Sequence, residues 1–341
     1  MKSKIFITGS SGFIGFHLAK KFLDQGHDVH GFDSMNNYYD VNLKKSRLSI
    51  LRRYKNFSFT KDYLENEKSL NKILLKFKPK IIVHLAAQAG VRYSIENPDI
   101  YLKSNILGTF NVIKVANKIK VKHLIIGSSS SVYGANKKFP FKENDKADNQ
   151  VSFYAATKKS TEALAHAYSS LWKLPITMLR FFTVYGPWGR PDMAYFKFTK
   201  NILDGKKIDI YNKGKMYRDY TYIDDIVDGI YKLTNKVPKL NSKKIKNDSL
   251  SSVAPFRILN IGNTKKILLL DFINTLEQEL KIKVKKNYLP MQKGDVVSTL
   301  SDSSLLSRVA GYIPKTNYKV GIKNFVKWFL EFYKKDYPNY K

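Results

Sequence analysis

The sequence predicts an α/β protein built on a doubly wound parallel sheet, with a smaller C-terminal domain. Short apolar runs typical of buried strands alternate with segments whose apolar residues recur at helical spacing, and small or polar residues follow several of the runs. The strand-like runs cover 4–8, 28–32, 57–60, 80–85, 122–127 and 175–181, and the helix-like segments cover 13–25, 41–54, 66–77, 99–119 and 152–172. This alternation indicates parallel strands joined by helices, with ligands bound beyond the carboxyl ends of the strands.

A glycine-rich turn joins the first strand to the first helix. Gly9, Gly12 and Gly15 follow the apolar run 4–8 directly, at G-xx-G-xx-G spacing. Glycines in such a turn let the backbone bend sharply and approach a pyrophosphate, while the amides at the helix N-terminus face the phosphates. The spacing differs from the commoner G-x-G-x-x-G, but the preceding strand and the following helix are the required context. The turn therefore predicts a dinucleotide site.

The second strand ends at Asp33. An acidic side chain at this distance from the glycine-rich turn is placed to bind both ribose hydroxyls of NAD and to repel the extra phosphate of NADP. We therefore predict NAD over NADP; the alternative is that Asp33 is only a turn residue at a strand end.

The later strands add candidates at the same edge of the sheet. Ala86 and Ala87 follow the fourth strand, and Ser129 follows the fifth. Beyond residue 181 the alternation breaks down, and glycine and proline punctuate 186–191, which predicts a smaller, lid-like domain for the substrate. The polar, lysine-rich stretch 236–255 is predicted to be a surface insertion.

Tyr154 and Lys158 are four residues apart in the helix-like segment after the fifth strand, so both side chains lie on one helical face. An ammonium group beside a phenol favours the phenolate. Lowering a tyrosine pKa from about 10 to near 7 takes roughly 4 kcal/mol, which Lys158 and a positively charged nicotinamide are expected to supply together. With the Ser129 hydroxyl, these groups suit the oxidation of a secondary alcohol. The alternative is a half-buried tyrosine beside a solvated lysine.

The composition is that of an ordinary globular enzyme. The chain has 341 residues, is 43% hydrophobic and contains no cysteine. Disulfides, thiolate catalysis and cysteine-ligated zinc are thereby excluded, and we expect a reducing, cytoplasmic setting and no metal centre. Because no apolar run approaches the roughly 18 residues of a membrane span, and the first strand begins at Lys4, we expect neither a membrane segment nor a signal peptide.

The net charge of +32 is the one feature that suggests a different function, since basic surfaces attract nucleic acids and anionic membranes. The basic residues are mostly lysines scattered over nearly every predicted helix and loop, with local clusters such as 243–246. Scattered lysine favours a compositional bias over a binding face, and no helix-turn-helix or ribonucleoprotein pattern is present. We expect no nucleic-acid partner, although a general attraction for polyanions stays open.

Taken together, these motifs resemble the extended short-chain dehydrogenase/reductase family over nearly the whole chain. Within that family, the chain is most similar to the nucleotide-sugar 4-epimerases that act on UDP-glucuronate. The segments that carry the resemblance are 8–15, 36–40, 86–94, 129–134, 154–158, 180–194 and 218–225. The resemblance implies a Rossmann domain for NAD made of 1–182 and 221–262, a nucleotide-sugar-binding domain made of 183–220 and 263–341, and a homodimer.

The resemblance also implies roles for individual residues. Tyr154 would be the general base, Lys158 its pKa partner and a ribose ligand, and Ser129 the hydroxyl that shares the proton at the sugar O4. NAD would be bound by Gly9, Gly12, Phe13, Ile14, Gly15, Asp33, Asp62, Ala86, Ala87, Tyr154 and Lys158. Arg218 and Asp295 would bind the UDP end, where the arginine fork suits a diphosphate. A surface salt bridge is the alternative for Arg218, and only the short segment 294–296 supports Asp295.

Departures from neighbouring subfamilies narrow the reaction. Related 4,6-dehydratases place Asp-Glu where this chain has Ser130 and Ser131, so the sequence argues against a 4,6-dehydratase. Relatives that act on neutral UDP-glucose or UDP-galactose resemble it less at 89–92 and 186–193, which favours an acidic sugar. UDP-glucose 4-epimerisation, UDP-glucuronate decarboxylation and an NAD-binding scaffold without activity remain alternatives.

An acidic sugar needs a group to hold its carboxylate. The expected 4-keto glucuronate intermediate is a β-keto acid and would lose carbon dioxide unless the site restrained that group. Thr183 lies at a strand end where its hydroxyl would reach the carboxylate, and Arg92 or Arg190 would bring a positive charge. We predict that these three residues bind the sugar.

Overall fold

The computed structural model describes residues 2–241, 245–292 and 294–340. The strands are β1 Lys4–Thr8, β2 Asp28–Asp33, β3 Phe57–Lys61, β4 Ile81–His84, β5 His123–Ser129, β6 Ile176–Phe181, β7 Thr183–Tyr185, β8 Ile208–Tyr211, β9 Tyr217–Tyr222, β10 Phe256–Ile261, β11 Lys266–Leu268 and β12 Lys286–Leu289. The α-helices are α1 Phe13–Asp24, α2 Val41–Leu51, α3 Glu67–Phe77, α4 Tyr93–Glu96, α5 Pro98–Tyr101, α6 Gly108–Lys118, α7 Phe153–Trp172, α8 Ala194–Leu203, α9 Ile223–Leu233, α10 Leu269–Leu280, α11 Ser304–Ala310 and α12 Tyr318–Phe332.

The central sheet is seven-stranded and parallel, in the order β10-β6-β5-β4-β1-β2-β3. Every strand-like run predicted from the sequence is a strand of this sheet, and the doubly wound fold is confirmed. The strand order reverses between β1 and β4, and such a switch point opens a crevice at the carboxyl ends of the strands. The seventh strand, β10, was not predicted; it pairs with β6 from Phe256↔Ile176 to Ile261↔Phe181.

Side chains of the central strands alternate between two buried apolar layers. On β1, Ile5 and Ile7 belong to the layer under α1 and α9, whereas Phe6 belongs to the layer under α6 and α7. Both faces of the sheet are therefore covered, which explains why its strands read as continuous apolar runs.

The predicted helix 99–119 is interrupted in the structure. A π-helical segment, Leu102–Leu107, separates α5 from α6, and such segments are frequent at functional sites. It presents Asn105, whose side-chain amide donates to Gln88 O at 3.0 Å and to Thr157 Oγ1 at 3.1 Å. The irregular turn thus ties the loop after β4 to α7.

Chain beyond residue 182 builds two smaller sheets. One has the order β11-β9-β7, and in the other β12 pairs with β8. By contrast, β10 joins the central sheet and α9 packs against α1. The division into 1–182 with 221–262, and 183–220 with 263–341, stays a prediction.

The lysine-rich stretch 236–255 is described only in part, because 242–244 lie outside the described residues. Leu250 and Ala254 are buried, and Asp248 accepts a hydrogen bond from Arg257 Nε at 3.0 Å. The second half of the stretch therefore packs against β10, and the prediction of a pure surface insertion is wrong for that half.

Across the described ranges, no helix is long and apolar enough to span a bilayer. A search of the same ranges for three or more His, Asp or Glu side chains placed to bind a metal ion finds none.

Candidate active site

A single cavity of about 960 Å³ lies at the carboxyl ends of the central strands and extends towards the smaller sheets. This volume is at the upper end of the range for small-molecule sites, roughly 300–1,000 Å³. Each site residue predicted from the sequence lines it: Gly9, Gly12, Phe13, Ile14, Gly15, Asp33, Asp62, Ala86, Ala87, Arg92, Ser129, Tyr154, Lys158, Thr183, Arg190, Arg218 and Asp295. The fold thus brings all of them to one site, while their individual roles stay predictions.

The glycine-rich turn is too tight for other residues. Gly9 has a φ of +73°, and a Cβ there would lie 2.8 Å from Ala86 N. A Cβ on Gly15 would lie 2.0 Å from Gly9 O. Gly12 caps α1 without a side-chain hydrogen bond, and the first amides of a helix have no intrahelical acceptor. These amides line the cavity, so the turn fits a dinucleotide diphosphate.

Asp33 is held rigidly beside this turn. The side chain is 7% exposed, and its carboxylate accepts hydrogen bonds from Ser11 N at 3.0 Å and Met35 N at 2.8 Å. Each carboxylate oxygen has a second lone pair for a further donor. The position and the remaining acceptor capacity fit a ribose diol.

Hydrogen bonds also fix the outer and inner walls of the cavity at the end where the dinucleotide is expected. Asp62 accepts hydrogen bonds from Tyr63 N at 2.7 Å and Asn66 Nδ2 at 3.0 Å, which orient its carboxylate at the cavity rim. On the inner wall, Ala86 N donates to Thr8 Oγ1 at 3.0 Å, so the loop after β4 stays close to Gly9.

We expect the protein to bind NADH more tightly than NADPH, and the variant Asp33→Ser to lose most of this preference. Removing one negative charge near a ribose phosphate changes the interaction by about 1–2 kcal/mol, which corresponds to about tenfold in the affinity ratio. Fluorescence titration of both nucleotides measures the ratio within each protein, so general damage to the turn cancels. Tighter NADPH binding by the wild type would contradict the assignment.

The catalytic candidates lie where α7 begins beside the end of β5. Ser152 caps α7 by accepting from Ala155 N at 3.1 Å, and Tyr154 N donates to Ser94 Oγ at 3.1 Å. These contacts fix the first helical turn, which carries the Tyr154 phenol into the cavity. One turn later, Lys158 is 7% exposed and donates from Nζ to Gly127 O at 2.8 Å.

The charges around Tyr154 differ from the sequence expectation. Burial raises the pKa of the Tyr154 phenol, while the Ser129 hydroxyl and the Arg190 guanidinium lower it. Burial lowers the pKa of Lys158 to about 8, against the opposing effect of Glu162. The Lys158 ammonium donates to Gly127 O near the end of β5, and its role as the pKa partner of Tyr154 stays a prediction.

A buried ion pair supports this region and was missed from the sequence. Arg180 on β6 donates from Nε to Glu162 Oε1 at 2.9 Å and from one terminal nitrogen to Oε2 at 2.8 Å. Ser128 Oγ donates to the same carboxylate at 2.7 Å. The three groups connect β5, β6 and α7 directly behind Ser129 and Lys158. The sequence did contain a signal for this pair. Arg180 lies inside an apolar strand-like run, and a buried charge needs a partner.

At the predicted sugar end, Arg190 is already paired. Its Nε donates to Asp192 Oδ1 at 3.0 Å, and Tyr38 donates its hydroxyl to Asp192 Oδ2 at 3.2 Å. Thr183 opens β7 opposite Tyr220, with its side chain at the cavity wall. Arg190 therefore reaches a ligand as half of an ion pair rather than as a free cation.

At the opposite end, Arg218 and Asp295 meet although they are 77 positions apart. Arg218 donates to Asp295 Oδ1 at 2.7 Å, and the two side chains are 16% and 28% exposed. Nearby, the Arg92 guanidinium lies 5.0 Å from the centre of the Tyr211 ring. The salt bridge proposed as the alternative for Arg218 is present, but it faces the cavity and leaves a binding role open.

Three further residues of the wall were not predicted as site residues: Tyr38 and Tyr39 in the segment 36–40, and Lys44 on α2. Lys44 is 5% exposed and donates from Nζ to Asn36 O and Oδ1, both at 2.7 Å. The signal was the Asn-Asn-Tyr-Tyr-Asp run directly after β2, since loops at the carboxyl ends of strands carry ligand contacts.

Comparison with known proteins agrees with this geometry. Residues 5–247 match the NAD dependent epimerase/dehydratase family. Protein CapI of Staphylococcus aureus is 50% identical over 334 residues, covering 97% of this chain and 100% of that protein. A probable UDP-glucuronate 4-epimerase of Rhizobium meliloti (strain 1021) is 46% identical over 335 residues, covering 97% and 98%.

Among solved structures, a UDP-glucuronic acid 4-epimerase from Bacillus cereus, in complex with UDP-glucuronic acid and NAD, superposes with a TM-score of 0.87 at 32% identity. The similarity covers 97% of this chain and 100% of that chain. The chain therefore belongs to the NAD dependent epimerase/dehydratase family.

Proposed function

We propose that this protein is an NAD-dependent 4-epimerase that interconverts UDP-glucuronate and UDP-galacturonate. One observation supports the proposal: the same cavity is lined by Tyr154, Lys158 and Ser129, by the glycine-rich turn and by the Arg218–Asp295 pair. A dinucleotide and a nucleotide sugar would meet at the phenol. The relatives from Rhizobium meliloti and Bacillus cereus support the choice of sugar.

The chain's own residues would move the proton and hold the substrate. Tyr154, as phenolate, takes the proton of the sugar O4 while the C4 hydrogen leaves with its electron pair, and the Ser129 hydroxyl shares that proton. Bound NAD supplies the acceptor and later the donor of those electrons. The 4-keto sugar then rotates, and Tyr154 returns the proton as C4 is reduced on its other face. Because net oxidation is zero, the cofactor stays bound at the turn and Asp33.

Retention of the sugar carboxylate separates this reaction from decarboxylation. Ser130 and Ser131 stand in a short 3-10 helix at the cavity wall, at the positions where related dehydratases carry two carboxylates. Hydroxyls donate hydrogen bonds to a neighbouring anion, whereas carboxylates would repel it. Thr183 and the Arg190–Asp192 pair complete a polar wall around the expected position of the acidic group.

The variant Thr183→Val is expected to lower kcat/KM for UDP-glucuronate about tenfold or more, because a hydrogen bond to a charged group is worth about 1.5–3 kcal/mol. Valine has nearly the same shape and suits a strand, so the fold should persist. Affinity for UDP, which lacks the sugar, is the control and should not change. Equal kcat/KM and equal sugar affinity in both proteins would refute the carboxylate contact.

The direct test incubates the purified protein with UDP-glucuronate, without added NAD, and follows the sugar by proton NMR. Growth of UDP-galacturonate signals to a fixed ratio is expected, and would show both the reaction and the retained cofactor. Formation of a UDP-pentose would convert the assignment to a decarboxylase. Turnover of UDP-glucose alone would mean that the acidic-sugar reading of Arg92, Thr183 and Arg190 is wrong.

We also propose a homodimer formed through the helical segments 99–119 and 152–172. Leu102 and Leu107 on the π-helical segment, and Leu171 and Trp172 at the end of α7, are 45%, 46%, 69% and 52% exposed. Exposed large apolar side chains are typical of protein interfaces. A dimer is expected by light scattering, and the double variant Leu107→Glu with Trp172→Glu is expected to be monomeric. A monomeric wild type would contradict the proposal.

The two-domain division and the location are part of the same proposal. We assign 1–182 with 221–262 to NAD, and 183–220 with 263–341 to the nucleotide sugar, because β10 joins the central sheet while β7, β8, β9, β11 and β12 form separate ones. A chain without cysteine suits a reducing cytoplasm, which we propose as the location.

A further inference from the structure

Arg47 is a fully buried cation whose partners are all uncharged oxygens. It lies on α2 at 0% exposure. One terminal nitrogen donates to Ser11 O and to the Tyr39 hydroxyl, both at 2.9 Å; the other donates to Trp188 O at 2.6 Å and Gly189 O at 3.0 Å. A buried guanidinium is retained at a cost in desolvation, so its use must lie in what it connects.

Arg47 connects the glycine-rich turn to a loop of the cavity wall. Ser11 belongs to the glycine-rich turn, and Trp188 and Gly189 belong to the loop 186–192. The same loop carries Arg190 and Asp192 into the cavity. More than a hundred positions of chain separate the two segments, and Arg47 joins them directly.

The loop is held in a conformation that it would not keep alone. Trp188 has a φ of +59°, in the left-handed region that aromatic side chains rarely adopt. Strained backbone of this kind persists only where its surroundings enforce it, and it gathers at ligand sites. The two hydrogen bonds from Arg47 end on the carbonyls of this residue and the next one.

Other contacts support the loop without replacing Arg47. His17 on α1 meets Pro187 O at 2.9 Å through Nε2, and burial lowers the pKa of this imidazole to about 3. The Trp188 ring packs against Phe16 of α1 and against Trp328 and Phe332 of α12, with ring centres 5.5, 5.3 and 5.0 Å away. None of these contacts is a hydrogen bond to the backbone of the glycine-rich turn, which Arg47 makes through Ser11 O.

We propose that Arg47 is a positioning residue that fastens the loop 186–192 to the nucleotide-binding turn and thereby places Arg190 and Asp192 at the sugar end of the cavity. The inference rests on the function proposed above for the sugar end. The guanidinium fork is essential to it, because the single ammonium of lysine cannot span acceptors on both segments.

The test compares wild type, Arg47→Lys and the matched control Arg52→Lys, an exposed arginine at the end of the same helix. Hydrogen–deuterium exchange reports on the loop, and calorimetry gives the affinities for UDP and for UDP-glucuronate. In Arg47→Lys we expect faster exchange confined to 186–192, UDP affinity within about twofold of wild type, and kcat/KM for UDP-glucuronate lower by about tenfold or more. Arg52→Lys should match the wild type throughout.

Other outcomes overturn the proposal. Unchanged exchange and kinetics in Arg47→Lys, or faster exchange everywhere with equal losses for both ligands, would make Arg47 a general stabilising residue. If Arg47→Lys does not fold, Tyr39→Phe, which removes one acceptor, must show the same loop-confined change more weakly, or the proposal fails. A wild type that binds UDP-glucuronate no better than UDP would instead disprove the proposed substrate, and the exchange result would still decide whether Arg47 holds the loop.

Discussion

Replacing Tyr154 with phenylalanine is expected to lower kcat by about 10²- to 10⁴-fold while NAD content and UDP-glucuronate affinity stay close to wild type. The substitution removes the proposed base for the O4 proton but keeps the ring, which packs edge-on against Tyr101 with centres 6.1 Å apart. Turnover by NMR, NAD released on denaturation and calorimetric titration measure the three quantities. Tyr168→Phe, on the same helix but away from the cavity, is the matched control.

The pH profile of the same proteins tests the role of the phenol. A general base acts in its deprotonated form, and burial raises the pKa of Tyr154. The phenolate fraction therefore grows with pH, and we expect kcat/KM of the wild type to rise through the neutral range. Tyr154→Phe should lack this rise. A variant that keeps both its rate and its pH profile would remove Tyr154 from the chemistry.

The second large effect is expected from Glu162→Ala, which should lower the free energy of unfolding by about 3–5 kcal/mol. The substitution leaves the Arg180 guanidinium, whose side chain is 2% exposed, buried without its carboxylate. Ser128 loses its acceptor as well, and Lys158 loses the carboxylate that opposes the lowering of its pKa by burial. Denaturant titration followed by circular dichroism measures the change.

A matched comparison separates burial from simple ion pairing. Lys20 and Asp24 form an exposed pair at 2.8 Å, and Asp24→Ala is expected to cost about 1 kcal/mol or less. The double variant Glu162→Leu with Arg180→Met should recover much of the loss, because it removes both buried charges. If Glu162→Ala costs no more than Asp24→Ala, the buried pair does not stabilise the fold.

Local patterns in the sequence were sufficient for most of the scaffold. The run 4–8 became β1 with the same bounds, and 28–32 became β2 with one added residue, Asp33. Such strands are buried on both faces, so their apolar runs are continuous and easily read. The π-helical segment Leu102–Leu107 and the strand β10 were not predicted. The local periodicity of the first is that of a regular helix, and β10 looks in the sequence like a short apolar run between loops.

The sequence by itself also determined which residues share the cavity. Gly9 follows β1 directly, Asp33 and Ser129 end β2 and β5, and the carboxyl ends of parallel strands meet at one edge of the sheet. That rule needs only the order of strands and helices, and the residues it selects line the cavity.

Only the tertiary structure decided how the charges are paired. Ion pairs form between Arg190 and Asp192, between Arg218 and Asp295, and between Arg180 and Glu162. Arg47, a position without any motif, joins the nucleotide turn to the loop 186–192. Pairing depends on distances of a few ångströms between groups that are remote along the chain, and on the burial that makes each unpaired charge costly. The order of residues does not contain those distances; they arise once the strands have packed side by side.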